Sequence, residues 1–269
     1  GYSSAGEALA TIDGNVTDKS MPQTAVFPAG SPAHNPTSNI AGYGGSATTL
    51  GLPVMVICNN VDPVYVFPAA PSDGTAAQEN GYTELHAGSL EKFVAKTCVS
   101  WEGRMIYGNT QEGSTRHPQR IRWSALYDAS PDPAKPGSGY FEIRELQGQL
   151  MRFEPLEPFL VAYFSDGIAF IERTGLRSAP HSFRVLSTNR GLMGPHSVAQ
   201  VSPSEHFLIA TDGFFVMNGS GSFREVGVFQ TENSSYHKWH DTFMRSLDAD
   251  DAHRIQVHYD QQCNEVKII

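Results

Sequence analysis

Few residues in this sequence have the types and spacing that chemistry requires. His237 and His240 stand three apart and are followed by Asp241. Histidines so spaced on a helix can share a metal ion. No third ligand is set by spacing, and the His-Glu-x-x-His arrangement is absent, so they read as histidines on a polar face. Asp248, Asp250 and Asp251 cluster carboxylates. The stretch lacks the turn glycine and closing glutamate of a calcium loop, and it reads as a solvated turn. Cys58, Cys98 and Cys263 fit no metal spacing. An odd count reads as buried free thiols in a reducing compartment. There is no Gly-x-Ser-x-Gly elbow. Gly219-Ser220-Gly221-Ser222 lacks the lysine of a phosphate loop and reads as a hairpin turn. The glycosylation patterns at Asn15, Asn218 and Asn233 are short enough to occur by chance, and nothing else in the sequence implies secretion. These readings lead to the expectation of no enzyme, no cofactor and no metal.

Two further carboxylates sit in Ser165-Asp166-Gly167 and Thr211-Asp212-Gly213. A sialidase Asp-box spaces its serine, aspartate and glycine apart, then continues to a threonine and an aromatic. Here the triplets are contiguous and run into Ile-Ala-Phe and Phe-Phe-Val. Hairpin geometry explains them, because central turn residues there need φ > 0. The expectation is that Gly167 and Gly213 take φ > 0, and that Asp166, Asp212 and the Glu102-Gly103 turn are structural. A paired-carboxylate glycosidase stays open as an alternative.

The elements that would position these residues are short apolar runs separated by turns. Leu52 to Cys58, then Asn59-Asn60, then Val64 to Phe67 is strand, turn, strand. The unit recurs around Gly103, Gly167, Gly213 and Gln261. With centres at 60, 103, 167, 213 and 261, three of the four gaps lie in the forties. That period with strand-rich units is the mark of a propeller with one four-stranded blade per repeat. The longer gap carries the breaker-rich stretch 128–139. The competing reading is a β-sandwich with hairpins at chance intervals. One helix is expected over Ser235–Leu247, where Tyr236, Trp239, Phe243 and Leu247 share a face. Residues 1–50 are small and polar, with Val26-Phe27 as an exception, and are expected to form an extended arm. Residues 51–269 form the propeller-like domain. Residue 1 is Gly and Val266–Ile269 is mostly apolar, so the chain is expected to be part of a longer or processed polypeptide.

Composition narrows the function classes. The chain has 269 residues and a net charge of −9, which argues against a basic module that clamps nucleic acid. Its longest apolar run, Phe159–Phe164, is far short of the roughly 20 residues a membrane-spanning helix needs. Arg116, Arg120 and Arg122 form an interrupted basic cluster. Arginine forks pair with carboxylates bidentately, so the cluster is read as a contact with a neighbouring subunit. A solvated face or a DNA contact are the alternatives.

An ordered string runs through residues 90–269. It comprises Val99–Gly108, His117–Ser124, Gly139–Ile143, Leu160–Ser165, Gly191–Val198 and Thr211–Gly219. In order and spacing it resembles the β-propeller tail proteins of bacteriophages, the tail nozzle or tail tubular protein B-like proteins of short-tailed phages. The resemblance covers about two-thirds of the chain. It implies a structural subunit of the virion tail, assembled in the host cytoplasm. Such subunits form rings, often sixfold, that contact other tail or adaptor proteins and pass the genome DNA without specific binding. Members are usually longer, with a platform domain beside the propeller. The alternative function is a carbohydrate- or receptor-binding propeller at the phage surface.

Overall fold

Valine, isoleucine, phenylalanine and tyrosine dominate the runs between turns, and these side chains fit a pleated, half-buried surface. In the computed structural model those runs are strands, and the protein is all-β. The structure describes residues 23–27, 54–68, 83–85, 87–230, 236–238, 242–243, 246 and 249–269. The chain divides into two units, residues 1–143 with 175–180, and residues 144–174 with 181–269.

The first unit holds two antiparallel four-stranded sheets, each with its strands side by side in chain order. Sheet one is β1 (Gln23–Phe27), β2 (Val54–Cys58), β3 (Tyr65–Pro68) and β4 (Thr83–Glu84). The Val26-Phe27 pair noted within residues 1–50 therefore lies in a paired strand. Sheet two is β5 (Phe93–Trp101), β6 (Arg104–Glu112), β7 (Thr115–Trp123) and β8 (Gly139–Glu142). Val56, Cys58 and Val66 pack against Phe93, Ala95, Met105 and Tyr107. The Tyr107 ring meets Phe93 edge-on at 5.2 Å. Its buried hydroxyl donates to the Ala129 carbonyl at 2.7 Å, satisfying a polar group that would otherwise be costly. Burial beside Cys98, Cys58 and Asp128 pushes that hydroxyl well above the usual tyrosine range.

This bond also holds the long β7–β8 connection. Arg104 Nη1 donates to the carbonyls of Ser124 at 2.7 Å and Gly137 at 2.8 Å, joining the two ends of the connection. Within it, Lys135 Nζ meets Asp128 Oδ2 at 2.6 Å. The breaker-rich stretch is thus an ordered, pinned loop.

The second unit repeats the pattern. Sheet three is β9 (Leu150–Leu156), β10 (Phe159–Phe164), β11 (Ile168–Arg173) and β12 (His181–Ser187). Sheet four is β13 (Val198–Ser202), β14 (Glu205–Ala210), β15 (Gly213–Asn218) and β16 (Phe223–Glu225). Two hairpins follow, β17 (Val228–Gln230) with β18 (Tyr236–Lys238), and β19 (Val257–Asp260) with β20 (Glu265–Ile268). Leu208 and Ala210 of β14 face sheet three. Phe207 and Ile209 face the other way, toward Ile255, Val257 and Val266. Sheet four is therefore covered on both faces, and its central strands β14 and β15 carry apolar runs for that reason. A two-sheet sandwich would bury one face of each sheet. First strands also come together, β1 beside β5 and β13 beside β19.

All five expected hairpins are present. Asn60, Glu102 and Gly103 take φ of 72°, 53° and 69°, and Gly213 takes 150°. Gly167 is a correction, because it is not among the positive-φ glycines. Glycine is needed there for space: a Cβ would sit 2.4 Å from Leu146 Cδ2 and 2.5 Å from the Ser187 carbonyl oxygen. The expected helix is corrected at Tyr236–Lys238, while 235, 239–241, 244–245 and 247 lie outside the described residues. Tyr236–Lys238 is strand β18, pairing with Val228–Gln230, and helical geometry is found at 242–243 and 246. Val228-Phe229 offers a β-forming partner, and pairing overrides the aromatic helical spacing. Cys58 and Cys98 are buried thiols outside any disulfide, as expected, whereas Cys263 is exposed. Gly219 and Gly221 lie in the β15–β16 turn, where Asn218 Oδ1 accepts from the amides of Ser220 and Ser222.

Candidate functional site

The arginines singled out by sequence lie on β7, and strand register decides what they meet. Arg120 is opposite Glu142 and Arg122 opposite Tyr140 on β8. Residues two apart on a strand share a face, so the two guanidiniums stand together. Glu112, near the end of β6, receives Arg122 Nε and Nη2 at 2.9 Å each and Arg120 Nη1 at 2.9 Å. Arg120 Nη2 also donates to Glu142 Oε1 at 2.7 Å. His117 Nδ1 lies 3.3 Å from the same oxygen. The Tyr140 ring covers the guanidiniums at 4.2 and 4.9 Å. Burial alone would raise the Glu112 carboxyl, but its bonds to Arg122 and Arg120 hold it below the usual range. Burial likewise opposes charge on Arg120, yet Glu142 and Glu112 raise it. Arg116 acts elsewhere: Nε donates to Asn109 Oδ1 at 2.8 Å and Nη2 to Asn60 Oδ1, linking sheet two to the β2–β3 turn. All three arginines hold the first unit together, and the exposed Tyr140 is the surface they present.

The two aspartates of the Asp-Gly turns work differently from each other. Asp166 Oδ2 accepts the amides of Gln147 and Gly148, both at 2.7 Å, and so ties the entry of β9 to the β10–β11 turn. Asp212 pairs with Arg190, whose Nε reaches Oδ1 at 3.2 Å and Oδ2 at 2.9 Å and whose Nη2 reaches Oδ2 at 2.8 Å. Arg190 in turn lies 3.8 Å over the Phe215 ring.

Sequence reasoning did not single out a second polar group, a cleft of about 260 Å³ in the second unit. Three first strands line it: β9 with Arg152 and Glu154, β13 with Gln200, and β19 with His258 and Tyr259; Gln261 follows from the next turn. Arg152 Nε meets Glu154 Oε1 at 2.5 Å and its Nη1 donates to His196 Nδ1 at 2.8 Å. That contact makes Nδ1 the acceptor, so Nε2 carries the proton, buried and without a hydrogen-bond partner among the described residues. Burial and the Arg152 charge lower the His196 pKa to about 4. Nearby, His206 Nε2 donates to the Pro155 carbonyl and Nδ1 accepts from the Tyr163 hydroxyl, both at 2.8 Å. Burial lowers the His206 pKa to about 4, with the Pro155 carbonyl opposing and Arg152 assisting. Glu154 is the one carboxylate among the described lining residues. The other polar lining residues, Arg152, Gln200, His258, Tyr259 and Gln261, carry hydrogen-bonding groups.

His237 lies in β18, and His240, Asp241 and Asp248 lie outside the described residues. Asp250 and Asp251 fall in a 3-10 helix, Ala249–Arg254. No group of three or more metal-ligating side chains occurs among the described residues. Among them, no helix is long and apolar enough to cross a membrane. No family model matches the chain, and no curated protein matches it.

Proposed function

We propose that the chain is a non-enzymatic structural subunit of a bacteriophage tail, built as a β-propeller or partial propeller. Copies would assemble into a ring that forms part of the DNA conduit and a platform for other tail proteins. The observation that carries the reading is the succession of four-stranded meanders, with sheet four covered on both faces and first strands drawn together. Radial blades stack in this way. The ordered string that resembles nozzle proteins falls on the strands, turns and linkers of this scaffold: β5–β6, β7, β8, β10, the entry to β13, and β15. The net charge of −9 suits a conduit that a polyanion passes without being trapped.

Negative-stain imaging and light scattering of the purified protein test the ring. Closed rings are the expected result, and discrete monomers at every concentration overturn the reading. Duplex DNA binding at physiological salt is expected to be weaker than micromolar in a filter assay. Tighter binding that is lost on Arg120→Ala would instead indicate a DNA-holding role.

A further inference from the structure

We infer that the cleft of the second unit binds a neutral, polyhydroxylated ligand of about one sugar residue. The proposal stands whether or not the chain forms a ring, because the cleft is made by strands of one unit. Its size, about 260 Å³, is close to the lower end of small-molecule sites, roughly 300 Å³. The charge in it is already matched. Arg152 is engaged by Glu154 and His196, so an anion would have to displace a carboxylate and a cation would meet a guanidinium.

What remains open is mostly hydrogen-bond acceptors. Glu154 Oε1 is engaged, while Oε2 makes no hydrogen bond among the described residues. Gln200 donates Nε2 to the Pro155 carbonyl at 3.2 Å, leaving its Oε1 available. The Tyr259 hydroxyl donates to Asn264 Oδ1 at 2.7 Å. This bond steadies the ring and leaves the oxygen's lone pairs to accept. His258 and Gln261 are exposed at the rim and can both donate and accept. Hydroxyl groups, each giving one hydrogen bond and accepting others, match this set. A half-buried tyrosine offers an apolar ring face to the C–H side of a sugar.

The test is calorimetric titration and ligand-observed NMR on the folded full chain with D-glucose, D-galactose, D-mannose and N-acetyl-D-glucosamine, and with sodium sulfate as the anion probe. At least one sugar is expected to bind with Kd on the order of 1 mM. Glu154→Gln and Gln200→Ala are each expected to weaken it about tenfold, the effect of losing one strong hydrogen bond. If Glu154→Gln lowers the melting temperature, Gln200→Ala and Gln261→Ala, both at exposed side chains, decide the matter. The proposal is overturned if no sugar binds at about a hundredfold higher concentration. It is equally overturned if binding is unchanged in both glutamine variants, or if sulfate binds more tightly than every sugar.

Discussion

The two polar clusters use the same parts, arginine beside glutamate on neighbouring strand positions, and reach opposite ends. In the first unit, Glu112 takes three bonds from two arginines, Glu142 takes another, and Tyr140 covers the guanidiniums. In the second unit, Arg152 and Glu154 lie on a first strand and open onto a cleft. One carboxylate oxygen stays engaged and the other is left for a visitor. Where every carboxylate is matched and covered, charge acts as scaffold. Where acceptors are left facing a cavity, charge sets what can bind.

Breaking the matched cluster is expected to have the largest effect. Glu112→Ala leaves two nearly buried guanidiniums without their shared partner. Removing one partner of a buried pair costs about 3–5 kcal/mol. The exposed pair Arg184–Glu172 provides the contrast, since Glu172→Ala should cost no more than about 1 kcal/mol. Chemical denaturation of both variants measures the gap. Equal losses would mean that cover adds nothing to the first cluster.

Acid should act on the second unit through its buried histidines. His206 and His196 titrate near 4 in the fold against 6.5 unperturbed. Between those values the unfolded chain binds more protons, so stability is complete above 6.5 and falls as pH drops toward 4. For His206 alone the loss at pH 5 is about 2 kcal/mol. His206→Gln should flatten the fall in melting temperature between pH 7 and pH 5. A wild-type melting temperature that does not move over this range would contradict the burial of both rings.

The same contrast shows how much of the molecule was legible in the sequence. Turns were, because Asn-Asn, Glu-Gly and Asp-Gly mark backbone geometry locally, and each of the five expected hairpins is present. The partners of Arg120 and Arg122 were not, because Glu112 and Glu142 reach them through strand register. The spacing of Arg120 and Arg122, repeated by Tyr140 and Glu142, was the available signal. The cleft was less legible still, since its residues come from three strands far apart in sequence. Arg152-x-Glu154, a charged pair at strand spacing among apolar neighbours, was the one local trace. The helix expected over 235–247 differs at Tyr236–Lys238, because aromatic spacing is blind to a pairing partner at Val228–Gln230; 242–243 and 246 are helical.

The two Asp-Gly turns give the smallest and sharpest test, because matching words in the sequence do different physical work. Asp166 accepts two backbone amides, and its Oδ1 is buried without a hydrogen-bond partner among the described residues. Asp166→Asn would bury an amide donor there and weaken charge-assisted bonds, at about 1–2 kcal/mol. Asp212 is 41% exposed in its pair with Arg190, and Arg190 stays packed on Phe215 and Phe223 without it. Asp212→Asn should therefore cost less than about 1 kcal/mol and leave assembly intact. The glycines extend the test. Gly167→Ala should cost about 1–3 kcal/mol through crowding against Leu146 and the Ser187 carbonyl. Gly175→Ala has φ of +75° and open space around it, and should cost only about 1 kcal/mol from backbone strain. Thermal melts of the four variants rank them. If Asp212→Asn were as damaging as Asp166→Asn, the two turns would share a role that their hydrogen bonds do not account for.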